Sequence, residues 1–221
     1  CTTGGNNTAL GDYALNTSTT ASNNTAVGTQ ALRYNTTGTQ NTALGVNSLD
    51  ANTTASYNTA IGSYSLGANT TGGANTAVGN SALQNNTTAS NNTAVGNGAL
   101  SANTTGTENV AIGAYAADAI TTNNDNTVIG YAALTDATGA HENVVVGYQA
   151  AKAGATPYRA VAIGKQALYN GTAQGTVAIG YQAGYNFTTG GNWVCIGYEA
   201  AYTYTTTGTG VAVGYRSQKF A

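Results

Sequence analysis

The chain has 221 residues, a formal net charge of -2 and only 6% charged residues, with 30 glycines and one proline. Six Lys and Arg in total leave no basic stripe to neutralise phosphates, which argues against a nucleic-acid partner. No apolar run approaches the ~18 residues of a membrane span, and the low complexity that would suggest disorder is countered by apolar residues in strict register.

That register comes from one phrase, Asn-Thr-Ala-(Val/Ile/Leu)-Gly, which returns thirteen times with small variations. Its glycines are Gly11, Gly28, Gly45, Gly62, Gly79, Gly96, Gly113, Gly130, Gly147, Gly164, Gly180, Gly197 and Gly214. Every interval is 17 residues except the 16 between Gly164 and Gly180. A short fixed period means one supersecondary unit stacked on itself, each copy burying what its neighbour exposes.

The first element of each coil precedes the glycine. One residue before it stand Leu10, Val27, Leu44, Ile61, Val78, Val95, Ile112 and their later equivalents, all aliphatic and mostly β-branched, as a strand prefers. Two before it the residue is Ala, with Val128, Val145 and Cys195 as exceptions, and three before it Thr gives way to Val. This alternation has period 2 and predicts strand, not helix. A second short strand is predicted after the glycine, where the third residue is Ala or Ser and the fourth is usually Leu. Polar pieces such as Asn35-Thr36-Thr37-Gly38 then close the coil as a turn.

The predicted fold is therefore all-β, a parallel β-solenoid or β-roll of thirteen coils with two short strands per coil. Residues 1–221 form one continuous array, Asn/Thr-rich over 1–150 and Tyr-rich over 151–221. The missing residue between Gly164 and Gly180 belongs in the turn 169–175, because a deletion inside a strand would flip its side chains. The aliphatic column is expected to face inward. The Ala column, with Ala26, Ala43, Ala60, Ala77 and Ala94, would then face outward as the close contact with another subunit. The column Asn7 to Asn143 is expected to form an amide ladder along the stack.

The phrases Asn-Val-Ala-Ile-Gly (109–113), Ala-Val-Ala-Ile-Gly (160–164) and Thr-Val-Ala-Ile-Gly (176–180) resemble the head repeat of trimeric autotransporter adhesins. The earlier Asn-Thr-Ala-Val-Gly form is similar to repeats of phage tail fibres. The resemblance covers essentially the whole chain, although the period of 17 is longer than is typical of those heads. It implies a left-handed β-roll, three copies packed side by side, and attachment to a host or its matrix.

No catalytic constellation is found. His141 is the only histidine, and Cys1 and Cys195 have no metal-ligand spacing. The acids are scattered, so neither an enzyme activity, a metal nor a cofactor is expected. The chain has no Met and is read as a processed product or a segment of something longer, with Cys1 as the point where a longer fibre was cut. Sequons such as those at Asn35, Asn52, Asn69, Asn86 and Asn103 arise by repetition. Immediately after the glycine come Tyr131, Tyr148, Tyr181, Tyr198 and Tyr215, interrupted by Lys165, which read as a stabilising aromatic ladder or as a recognition surface. The expected function is a structural, extracellular fibre or adhesin shaft, on a cell surface or virion. It would assemble as a homo-oligomer, a trimer by the resemblance, and attach to a glycan or protein of a host, to matrix or to a neighbouring fibre. The alternative is an ice-binding solenoid using the Thr columns that begin at Thr36 and Thr37.

Overall fold

A computed structural model of the chain describes residues 3–154, 157–172, 174–187, 191–203 and 208–218, so that Cys1 lies outside the described residues. Two compact units are present, Cys1–Glu108 and Asn109–Ala221. Both are parallel β-solenoids. In the first, β1 (Thr8–Leu10), β2 (Thr25–Val27), β3 (Thr42–Leu44), β4 (Thr59–Ile61), β5 (Thr76–Val78) and β6 (Thr93–Val95) pair in chain order. In the second, β7 (Val110–Ile112), β8 (Thr127–Ile129), β9 (Val144–Val146) and β10 (Val161–Ile163) pair likewise. They are followed by β11 (Val177–Ile179), β12 (Trp193–Ile196) and β13 (Gly210–Val213). Each residue pairs with its equivalent in the next coil, as in Ala43 with Ala60.

The second strand predicted for each coil is absent among the described residues. The reason lies in the backbone after the glycine, where the second and fourth residues take positive φ: Gln30 at 60° and Leu32 at 49°, then Tyr64 at 60° and Leu66 at 50°. The chain there runs through tight turns, closed by Ala31 N–H to Gly28 O at 3.2 Å and Asn35 N–H to Leu32 O at 3.2 Å. The remaining N–H groups reach the neighbouring coils, Gln30 to Asp12 O at 2.8 Å and Leu32 to Ser48 O at 3.0 Å. This wall stacks as a sheet does, without extended backbone. A left-handed leucine costs roughly 1–2 kcal/mol, which burial of its side chain, worth about 1.5–3 kcal/mol, offsets.

Elsewhere the strain has no such offset. Ala74 sits at φ 56° with an exposed side chain, in the column where other coils place Asn23 and Asn91. Ala74→Gly is expected to stabilise the protein by about 0.5–1 kcal/mol, since relief of the left-handed strain exceeds glycine's extra unfolded-state entropy. A lowered denaturant midpoint for this variant would contradict it.

The two faces of the strands are the reverse of the sequence expectation. Ala26, Ala43, Ala60, Ala77 and Ala94 are 0% exposed and form the inner face, so they cannot be the subunit contact assigned to them. The aliphatic column points out: Leu44 is 46% and Ile112 39% exposed. The cause is the narrowness of the coil. Leu32, Leu49, Leu66, Leu83 and Leu100 come inward from the opposite wall and are fully buried, which leaves room for only a small residue on the strand, alanine in these coils and Val128 opposite Leu134 in the second unit. Where Gly184 replaces that leucine, a Cβ built on it would lie 3.7 Å from Ala178 and 3.8 Å from both Leu168 and Phe187. Phe187 is fully buried there. Cys195, in the Ala column, is fully buried, and burial pushes its thiol up to about 11.

The one-residue deletion falls in the expected turn. Ala153 N–H still bonds Tyr169 O, 16 residues on, at 2.7 Å, whereas Gly175 N–H bonds Tyr158 O across 17 residues. Its equivalent, Arg159 N–H to His141 O, spans 18. The loss therefore lies between residues 169 and 175, and β11 stays in register with β10 and β12. Val177 and Ile179 flank the buried Ala178 and lie on the outer face with the rest of their columns.

Candidate functional site

Three repeated surfaces and two buried amide ladders come out of this stacking. The first ladder is the expected one. Asn41 donates from Nδ2 to Asn24 Oδ1 at 3.1 Å and to Ala55 O at 2.9 Å, while its N–H donates to the same Asn24 Oδ1 at 2.9 Å. The pattern recurs through Asn58, Asn75, Asn126 and Asn143, all 0–1% exposed. A second ladder was read from sequence only as turn residues and sequons. Asn52, Asn69, Asn86 and Asn103 each donate from Nδ2 to the preceding asparagine's Oδ1, at 2.8, 3.2, 2.9 and 2.9 Å. With Asn35 they are fully buried, so in the folded chain these sequons offer no amide for glycosylation. In the second unit the same positions hold Ile120, Ala137, Gly154, Gly171 and Phe187, all buried and without a side-chain amide.

The outer strand face carries Thr25, Thr42, Thr59, Thr76 and Thr93 beside Val27, Leu44, Ile61, Val78 and Val95 in the first unit, and Val beside Ile or Val in most coils of the second. An apolar column thus runs along the outer face of each unit, with Leu44, Ile61, Ile112 and Ile129 among its exposed members.

Tyr131, Tyr148, Tyr198 and Tyr215 are exposed and Tyr181 is half-buried. Their rings stack, Tyr131 on Tyr148 at 5.6 Å, Tyr181 on Tyr198 at 4.9 Å and Tyr198 on Tyr215 at 5.4 Å. Lys165 fills the interruption, its Nζ lying 5.6 Å from the Tyr148 ring and 5.9 Å from the Tyr181 ring as a cation–π link. Tyr169, Tyr185 and Tyr202 make another stack at 5.0 and 5.0 Å. Face-to-face stacking leaves ring edges and hydroxyls, not ring faces, turned to solvent.

The titratable groups are spread among these surfaces. His141 is half-buried, its Nε2 paired with the Asn123 amide. Among the described residues no three His, Cys, Asp or Glu side chains gather as a metal ion would require, and no helix is long and apolar enough to cross a membrane. Asp118 is the most perturbed acid: burial, reinforced by the Asp136 carboxylate and opposed by Lys152 and nearby backbone N–H groups, pushes it up to about 6. Below its unfolded value of 3.8 both states are protonated; as pH rises through about 6 the folded state must bury a charge that the unfolded state carries in water. Native stability should thus fall between those two values. Asp118→Asn is expected to raise the melting temperature at pH 7.5 by a few degrees and to leave it nearly unchanged at pH 3.5. Equal effects at both pH values would refute this account.

Comparison with family models, with curated proteins and with solved structures finds no match to this chain.

Proposed function

We propose that this chain is a structural segment of an extracellular fibre or adhesin, which assembles with copies of itself through the outer strand face and displays the tyrosine ladder for attachment. The observation that carries the reading is the outer face itself. It places an aliphatic residue in every coil, with Leu44 at 46% and Ile61 at 36% exposure. A partner that covers such a face must repeat at the same coil spacing, and a further copy of the chain does so by symmetry. The resemblance to trimeric adhesin heads favours three copies. Tyr131, Tyr148, Tyr181, Tyr198 and Tyr215 supply rigid amphipathic area for a host glycan or protein.

Light scattering on the native protein tests this. The expected result is an oligomer that dissociates when Leu44→Glu and Ile61→Glu are combined, with the circular dichroism spectrum unchanged because both side chains are exposed. A monomeric wild type would overturn the assembly reading.

A second reading, ice binding, draws on the same face. The Thr36, Thr53, Thr70 and Thr87 hydroxyls are committed, each donating to a threonine carbonyl of the next coil at 3.0 to 3.1 Å. Thr25, Thr42, Thr59, Thr76 and Thr93, beside their aliphatic neighbours, present a column of hydroxyl and methyl groups on the strand face. Thermal hysteresis from a monomeric protein would favour this second reading over the fibre.

A further inference from the structure

In the column five residues after the fixed glycine, the first unit places Arg33, Asp50, Gln84 and Ser101, and between Asp50 and Gln84 it places Gly67. The missing side chain opens a cavity of about 210 Å³, lined by Asn47, Asp50, Tyr64, Gly67, Gln84 and Asn85. Three carboxamide residues, a carboxylate and a phenol thus meet at one gap. The amides and the phenol are also uncommitted, in a chain that elsewhere ties its amides into ladders. Asn47 Oδ1 is buried without a hydrogen-bond partner, and the side chains of Tyr64, Gln84 and Asn85 form no hydrogen bond with another described residue. A buried acceptor left this way is unfavourable unless something donates to it.

We propose that this cavity binds the terminal neutral hexopyranose of a glycan. Its volume lies below the ~300 Å³ lower bound of drug-sized sites and suits a single ring. Arg33 Nε lies 3.2 Å from Asp50 Oδ1, an ion pair rather than an aligned hydrogen bond, so the carboxylate already has a cationic partner, while burial outweighs that attraction and holds its carboxyl above the usual range. That selects an uncharged donor over a cation. A sugar ring offers several hydroxyl donors for Asn47 Oδ1, the Asp50 carboxylate and the amides, and a C–H face for the half-exposed Tyr64 ring. The cavity is open to solvent, so the rest of a glycan has room to extend away. This goes beyond the fibre reading and needs no assembly, because every lining residue belongs to one unit of one chain.

Saturation-transfer NMR on the full chain tests it, with glucose, galactose, mannose and N-acetylglucosamine as free sugars and as methyl glycosides, and with methylammonium as the charged probe. The assembly mass is measured in parallel so that failure of the fibre reading is seen separately. At least one methyl glycoside should bind with a roughly millimolar Kd. Gly67→Gln, which fills the gap at a position of ordinary φ, should abolish binding, and Ser101→Gln in the same column should leave it intact. Should Gly67→Gln fail to fold, Tyr64→Ala removes only an exposed ring and should weaken binding roughly three- to tenfold. The proposal is overturned by no transfer to any sugar, by unchanged binding in the folded Gly67→Gln or in Tyr64→Ala, or by methylammonium binding in place of sugars. Binding of a free sugar without its methyl glycoside overturns the assignment to a glycan end.

Discussion

Gly62→Ala is expected to be among the most damaging single substitutions in the first unit, costing about 3–5 kcal/mol. Two independent penalties meet at this residue. Its φ of +128° lies where side-chain-bearing residues are rarely found. A Cβ there would also lie 2.4 Å from Gly79 O and 2.6 Å from Gly79 C, both backbone atoms of the next coil that no rotamer change can move. Room could come only from spreading β4 from β5, and Gly79 N–H bonds Ile61 O at 2.7 Å across that very junction. Gly67→Ala is the control. It has no left-handed φ, its built Cβ lies 3.3 Å from the nearest atom, Tyr64 O, and its effect should stay below about 1 kcal/mol. Urea titrations of the two variants decide the matter, and equal midpoints would mean that coil-to-coil glycine contact is not what holds the stack.

The second large effect is expected at the first amide ladder. Asn58 is 1% exposed and spends its whole side chain: Nδ2 donates to Gly72 O at 2.9 Å and to Asn41 Oδ1 at 3.3 Å, and Oδ1 accepts the Asn75 N–H at 3.0 Å and Asn75 Nδ2 at 3.2 Å. Asn58→Ala strands the buried Asn75 N–H, while Gly72 O keeps a donor in Asn69 Nδ2 at 2.9 Å. One orphaned N–H at about 1–3 kcal/mol and the three other lost amide bonds at about 1 kcal/mol each give roughly 4–6 kcal/mol. Asn58→Asp, nearly isosteric, should be worse at neutral pH, because it buries a carboxylate facing the Gly72 carbonyl. Its new carboxyl should have a raised pKa in the folded state, so the deficit shrinks as pH falls and the protonated acid again donates to Gly72 O. Chemical denaturation at pH 7.5 and pH 4 reads this directly. A deficit for Asn58→Asp independent of pH would show that the substituted residue escapes to solvent and the ladder tolerates a gap.

Much of the architecture can be read from the amino-acid order alone. The repeated glycine sets the coil length, and the in-register columns require parallel stacking, because only then does each residue meet its own kind, as Ala43 meets Ala60. The placement of the missing residue within 169–175 followed from the same logic, since Ala167 and Leu168 before it and Val177 and Ile179 after it keep their columns, and β11 pairs in register with β10 and β12. Lys165 could be seen to interrupt the tyrosine column, but its cation–π link to Tyr148 and Tyr181 needed three dimensions.

What the tertiary structure alone decided is which face of each strand is inside. Period-2 alternation says that Thr42 and Leu44 share one face and that Ala43 has the other; it carries no sign. The sign comes from the opposite wall, where Leu49 takes φ 50° and turns fully inward. Leucine has no local preference for that conformation, so neither the positive φ nor the loss of the second strand is written in the residue type. Once the leucines occupy the narrow interior, small residues are favoured against them, alanine in most coils and Val128 opposite Leu134, and the larger aliphatic column is left on the surface. The second ladder was hidden for a similar reason. Asn-Thr-Thr reads as a polar turn in a single coil, and Asn52 becomes a core residue only because Asn35 lies 17 positions earlier in sequence and directly beside it in space, within 2.8 Å.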